Sequence, residues 1–224
     1  MKKTVFATLA LGLGLAFAPI ANATLIITAS DGTNSTSNSG NDNSVLLAGT
    51  FGGFNFNATG SNLFFPQANQ DTSTASVAYT GSGPATLTIT LTDTNYFIGV
   101  SPLYNPNAQA IMQLSDHYNN GATINFSAYY DNANASSLTN LIGTLGPITT
   151  ASTNISSTNL VNVTDPFSLT EVITFAFAGG GPTTGSSSID ASVTVNPVPE
   201  PGTMMLLGAG FLGLAVYGKR RKNA

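Results

Sequence analysis

The chain has no cysteine, no tryptophan and one histidine, and only six lysines and arginines among its 224 residues. All six cations lie at the ends, Lys2 and Lys3 at the start and Lys219, Arg220, Arg221 and Lys222 at the finish, so residues 24–196 carry none. Each absence excludes a chemistry. Without cysteine there is no disulfide, no thiol nucleophile and no thiolate metal site. Without lysine or arginine the central segment has no phosphate-loop lysine, no Schiff-base amine and no guanidinium clamp. Nucleic acid is excluded as a partner too, because its binding rests on cations that displace phosphate counterions.

What the centre does have is acid. Asp31, Asp42, Asp71, Asp93, Asp116, Asp131, Asp165, Glu171 and Asp190 give residues 24–196 a formal charge of about −9, with His117 as the one residue there able to gain positive charge. These 173 residues fit one domain. Its stability has to come from backbone pairing and an apolar core.

The two ends are of a different kind. Residues 1–23 read as a secretory signal peptide: a charged start at Lys2 and Lys3, an apolar stretch from Thr4 to Ala18, the helix breaker Pro19, and a small-x-small cleavage site at Ala21 and Ala23. Export through the secretory translocon and cleavage by signal peptidase are expected, with Thr24 as the new N-terminus. At the other end Pro197, Pro199 and Pro201 forbid helix and sheet and hold the chain extended, where an enzyme can grip it. Residues 202–218 follow as seventeen positions without a charge, near the lower limit for a helix that crosses a bilayer and weakened by five glycines. Lys219, Arg220, Arg221 and Lys222 then form a stop signal that stays in the cytoplasm, which places the rest of the protein outside.

The triplet Pro199-Glu200-Pro201, the short apolar helix and the basic end, in that order, resemble the PEP-CTERM sorting signal of Gram-negative bacteria. The resemblance covers 197–224. It implies that exosortase, a membrane protease-transpeptidase, recognises Pro199, Glu200 and Pro201. Residues 202–218 become a transient inner-membrane anchor, released when the protein is sorted to the cell surface or beyond.

Between the ends, the sequence alternates. Leu87, Ile89 and Leu91 point one way and Thr86, Thr88, Thr90 and Thr92 the other, a period of two that specifies a strand. The same pattern recurs at 123–130, 169–177 and 187–195, and Phe54 and Phe56 alternate with asparagines. Residues 25–29, 44–49 and 63–65 add short strands, residues 108–114 suit a strand or a helical turn, and 30–44 read as a long polar loop. Eight to eleven short strands are expected. The fold predicted for 24–196 is all-β, an antiparallel β-sandwich, with a jelly roll as one form open to it, flanked by the signal-peptide helix and the C-terminal transmembrane helix.

Four constellations within the domain are candidates for chemistry. His117 beside Asp116 has the makings of an acid–base pair or a metal ligand, against the plainer role of a solvated loop residue. A serine triad lacks its G-x-S-x-G elbow. Glu171 with an aspartate would make a glycosidase pair, but with no tryptophan for a sugar platform it is better placed at an edge or rim of its strand. Asn41-Asp42-Asn43 and Asp131-Asn132-Ala133-Asn134 offer hard oxygens suited to calcium, with Asp42 and Asp131 as candidate ligands, although Asn and Asp are also the ordinary turn formers. The threonines of 86–94 resemble one row of an ice-binding surface, and threonine is equally the favoured polar residue on a wet strand face.

No catalytic residue is assigned and no cofactor is required, calcium being the one ion the side chains suit. The expected role is non-enzymatic, structural or adhesive among exopolysaccharides of a biofilm matrix. A carbohydrate- or calcium-binding module is the alternative, followed by an ice-binding protein or a secreted hydrolase.

Overall fold

Apolar residues at every second position put one face of a strand in the interior, and most of the twelve strands among the described residues are built on that device. The computed structural model describes residues 24–40, 43–63, 67–98, 107–178, 185–198 and 208–212. The strands are β1 Leu25–Ser30, β2 Ser35–Gly40, β3 Ser44–Phe51, β4 Phe54–Leu63, β5 Ala68–Tyr79 and β6 Ala85–Tyr96, then β7 Asn107–Asn120, β8 Ala122–Asp131, β9 Asn140–Ile148, β10 Asn154–Asn162, β11 Phe167–Phe177 and β12 Gly185–Pro197.

They form two six-stranded antiparallel sheets, ordered β2-β1-β6-β11-β8-β9 and β10-β7-β12-β5-β4-β3, whose inner faces pack on each other as in a sandwich. From β5 onward the chain winds between sheets: β5, β7, β10 and β12 lie in the second and β6, β8, β9 and β11 in the first. The early hairpins β1–β2 and β3–β4 widen one sheet each. In β3–β4 the turn is Gly52-Gly53, both at positive φ (56° and 83°), the backbone that a two-residue hairpin needs to match strand twist.

The core fills the gap between sheets. Leu87, Ile89 and Leu91 of β6 and Ile173 and Phe175 of β11 meet Met112 and Leu114 of β7 and Val193 and Val195 of β12, all fully buried. Each such side chain contributes about 1.5–3 kcal/mol over an exposed one. At one end Phe54, Tyr79 and Phe177 stack with centroids 4.7 to 6.0 Å apart. Gly60 of β4 packs tightly against the facing sheet, since a Cβ there would sit 2.3 Å from Leu91 Cδ1.

Several expectations need correcting. The stretch 30–44 is not one long loop: Ser35–Gly40 forms β2, an edge strand of small polar residues paired with β1. Residues 108–114 belong to a 14-residue strand, β7, and no helical turn. β5, β9 and β10 were not legible, and the strands exceed both the expected number and length. Leu63 closes β4, while 64–66 lie outside the described residues.

The signal peptide with Ala21 and Ala23, the motif Pro199, Glu200 and Pro201, and the basic residues Lys219, Arg220, Arg221 and Lys222 also lie outside them. Of 202–218 only a helical turn at 208–212 is described, and among the described residues no helix is long and apolar enough to cross a membrane. β12, from which the tail departs, runs on to Pro197, opposite Ala108, so this proline ends a strand and does not stand outside the sheet as expected; it is a central strand held by β7 on one side and β5 on the other.

Candidate functional site

Register turns the outward residues of the second sheet into rows. Asn57, Ser76, Ser188 and Tyr118 are cross-strand neighbours running over β4, β5, β12 and β7. A second row, Ser61, Asp71, Ser192, Gln113 and Ser156, extends to β10. Nearly every group in them is a hydroxyl, a carboxamide or a carboxylate, because β12 alternates small apolar residues inward with Ser186, Ser188, Asp190, Ser192 and Thr194 outward. Asn69 Nδ2 donates to Thr194 Oγ1 at 2.7 Å, one of the side-chain bonds that stiffen this face.

The surface is dished. One hollow of about 320 Å³ is lined by Asn57, Ser76, Tyr118 and Ser188 among others, and Tyr118 stands 52 % exposed at its margin. A second, of about 340 Å³, holds Asp71, Asp190, Gln113 and Ser192, and it shares Gln113 and Ser115 with a third of about 280 Å³ over β10. Burial, and then the neighbouring charge of Asp190, raises the Asp71 carboxyl above its ordinary range. His117 Nε2 lies 2.7 Å from Asp190 Oδ2 on this same face.

The sequence candidates land in unexpected places. His117 is on a strand, β7, at an irregularity in its pairing with β12, and its partner is Asp190 and not the adjacent Asp116. Asp116 turns inward, is buried, and is raised by that burial. Glu171 is at neither edge nor rim: β11 is flanked by β6 and β8, and the residue is fully buried on the inner face.

Asp131 is a turn former. Its oxygens accept from Ala133 N at 2.9 Å and Ser137 Oγ at 2.6 Å, and the bonds from Ser137 and Ala133 hold its carboxyl below the usual range. Its partner candidate Asp42 lies outside the described residues. No group of three or more His, Cys, Asp or Glu converges among the described residues. The threonines of β6 do gain neighbours, with Thr90 beside Thr28 of β1, and Thr88 and Thr92 beside Thr174 and Thr170 of β11.

Sequence reading missed the second acidic location altogether. Asp93 continues the inward series Leu87, Ile89, Leu91 and is fully buried, as are Gln70 and Thr72 on the inner face of β5. Thr72 Oγ1 donates to Glu171 Oε2 at 2.5 Å, and Asn62 Nδ2 donates to Asp93 Oδ2. The signal was there in the alternation: polar residues at core parity.

Residues 197–222 match the model of the PEP-CTERM protein-sorting motif. The tail is a PEP-CTERM signal. A PEP-CTERM tail indicates export, exosortase-mediated processing at the membrane and a surface or extracellular destination. A comparison with curated proteins finds no match. Among solved structures, the K1 cleaved adhesin domain of Lys-gingipain from Porphyromonas gingivalis is 11 % identical, with a TM-score of 0.30 over 70 % of this chain and 99 % of that one. A carbohydrate-binding module from Cellvibrio mixtus lichenase 5A, in complex with cellotriose, is 10 % identical, with a TM-score of 0.23 over 68 % of this chain and 92 % of that one. Likenesses this distant carry no argument about function.

Proposed function

We propose that this exported domain is a non-enzymatic structural or adhesive protein that works among exopolysaccharides, and that the outer face of its second sheet is the surface that meets them. The observation that carries the reading is the row Asn57, Ser76, Ser188 and Tyr118, a strip of neutral hydrogen-bonding groups ending in an exposed aromatic ring. Sugar hydroxyls exchange bonds with hydroxyl and amide groups, and the apolar face of a sugar ring packs on a phenol that keeps its own hydroxyl wet. A dished face with several adjoining open hollows suits a polymer laid across it better than a small molecule enclosed by it.

The winding of β5–β12 between sheets is read as a jelly roll. In this reading the secretory translocon and signal peptidase deliver the domain, the apolar helix 202–218 holds it in the inner membrane with the basic end in the cytoplasm, and exosortase releases it. No catalytic group is assigned.

The test is co-sedimentation of the domain with insoluble polysaccharide from its own host. Binding should saturate and should fall at least about tenfold in Tyr118→Ala, the loss expected when an aromatic anchor worth about 1.4 kcal/mol is removed. Equal binding by the variant and the parent would overturn the assignment of this face.

A further inference from the structure

The interior between the two sheets contains more polar chemistry than a sandwich core needs. Asn62 of β4 and Gln70 of β5 are directly opposite in register. Asn62 donates through Nδ2 to Asp93 of the facing sheet, and Thr72, two positions from Gln70 on the same inner face, donates to Glu171. Glu171 faces Leu91 across the β6–β11 pair while Asp93 faces Leu169, so the two acids are diagonal neighbours on one face. Tyr96 is fully buried beside them, and the charges of Asp93 and Glu171, after burial itself, push its phenol well above the ordinary range.

This cluster is unfinished. Gln70 is 0 % exposed, yet neither Oε1 nor Nε2 has a hydrogen-bond partner among the described residues, and the same holds for Asn62 Oδ1 and Glu171 Oε1. Buried polar atoms are nearly always satisfied, so four orphans in one place require an occupant. The charge leads to the same conclusion. Two buried carboxylates need compensation, and residues 24–196 have no lysine or arginine to supply it, while His117 is on the outer face with Asp190.

We infer that Asn62, Gln70, Asp93 and Glu171 hold one calcium-type divalent cation between the sheets. The oxygens are of the hard kind calcium takes, two carboxylates and two carboxamides. Two carboxylates match its charge. Diagonal neighbours about 7–8 Å apart at their backbones bring their oxygens across the roughly 4–5 Å that an ion with bonds of about 2.3–2.6 Å spans. Protons on the two carboxylates are the competing way to remove the buried charge. The site has only two acids, the remaining ligands being carboxamide oxygens.

The experiment uses the full chain in detergent, with calcium itself as the probe. Calcium should remain bound at about one ion per chain after desalting and raise the melting temperature by about 5–10 °C over chelator-treated protein when present at about a hundredfold its dissociation constant. Both effects should vanish in the double variant Asp93→Asn, Glu171→Gln, whose isosteric amides keep the core filled. Independently of that variant's folding, terbium should show tyrosine-sensitised emission that is lost in Tyr96→Phe. A chain that retains no calcium and melts alike with and without chelator overturns the inference in favour of protonated carboxylates. Calcium stabilisation that survives the double variant, or terbium emission that survives Tyr96→Phe, overturns it by placing the ion elsewhere.

Discussion

Metal-free protein should lose stability as pH rises, and Glu171 should account for a definable share of that loss. Burial raises its carboxyl well above the ordinary value and raises that of Asp93 as well, against the lowering bonds from Thr72 and Asn62. In the folded state both acids therefore keep protons that the unfolded chain releases at about pH 4. Below the unfolded values both states are protonated and the contribution is complete. As pH rises through the interval up to each folded pKa, only the unfolded chain ionises, and stability falls by about 1.4 kcal/mol per pH unit for each retained proton. Glu171→Gln removes one proton from that account, so its stability should fall less steeply than the parent's by about 1.4 kcal/mol per pH unit.

Asp116, also raised, acts in the same direction in both proteins and cancels in the comparison, while the charge of Asp71 adds to the raising of Glu171 and belongs to the share that Glu171→Gln removes. Asp31 and Asp131 are lowered by turn hydrogen bonds, so their contribution is lost only as pH falls below the ordinary carboxylate range, outside this window. The assay is urea unfolding in chelator at half-unit steps from pH 4.5 upward. Parallel slopes for parent and Glu171→Gln would refute the reasoning, because they would mean that Glu171 ionises in the fold as readily as in the unfolded chain.

Other changes test the architecture and the tail. Gly60→Ala should destabilise by about 1–3 kcal/mol in chemical denaturation, since its methyl would meet the fully buried Leu91 from the opposite sheet. Phe126→Ala should cost about 3–5 kcal/mol for the cavity it leaves in a side chain's place at the centre of β8. Intact mass of the protein recovered from its host's surface should end near Pro199, whereas replacing Glu200 by alanine should leave the full tail in place and the protein in the inner membrane.

The strands most legible in the sequence were those with large apolar side chains on one face. Leu87, Ile89 and Leu91, or Ile173, Phe175 and Phe177, announce both strand and core side because each alternate residue is bulky, and all are buried as expected. β2 and β10 failed for the opposite reason: as edge strands they bury little, and STSNSG or NISSTNLVN has the composition of a loop, so pairing with β1 and β7 makes them strands. β5 failed because its inward residues include Gln70 and Thr72, which break the apolar rhythm. The candidate site was least legible of all. Tyr118 and Ser188 are 70 positions apart and become neighbours only through the β7–β12 register, which no local pattern encodes. Likewise the pairing of His117 with Asp190 overrode the adjacent Asp116, since a strand sends consecutive side chains to opposite faces.

The distribution of cations unites topology and interior. On the topology proposed above, basic residues confined to the two ends leave nothing in 24–196 to compete with Lys219, Arg220, Arg221 and Lys222 for retention in the cytoplasm. The same confinement leaves Asp93 and Glu171 without a lysine or arginine to balance their charge. A fold that buries these two acids side by side under those conditions depends on protons or on an ion acquired from its surroundings, and the ion offers ligation to three orphaned oxygens, Asn62 Oδ1, Gln70 Oε1 and Glu171 Oε1. On the inference drawn above, the domain gains its full stability only where calcium is plentiful. That couples the completion of the core to arrival outside the cell, while the central position of β12, clasped by β5 and β7, ties the sorting tail to the part of the sheet that such an ion would brace.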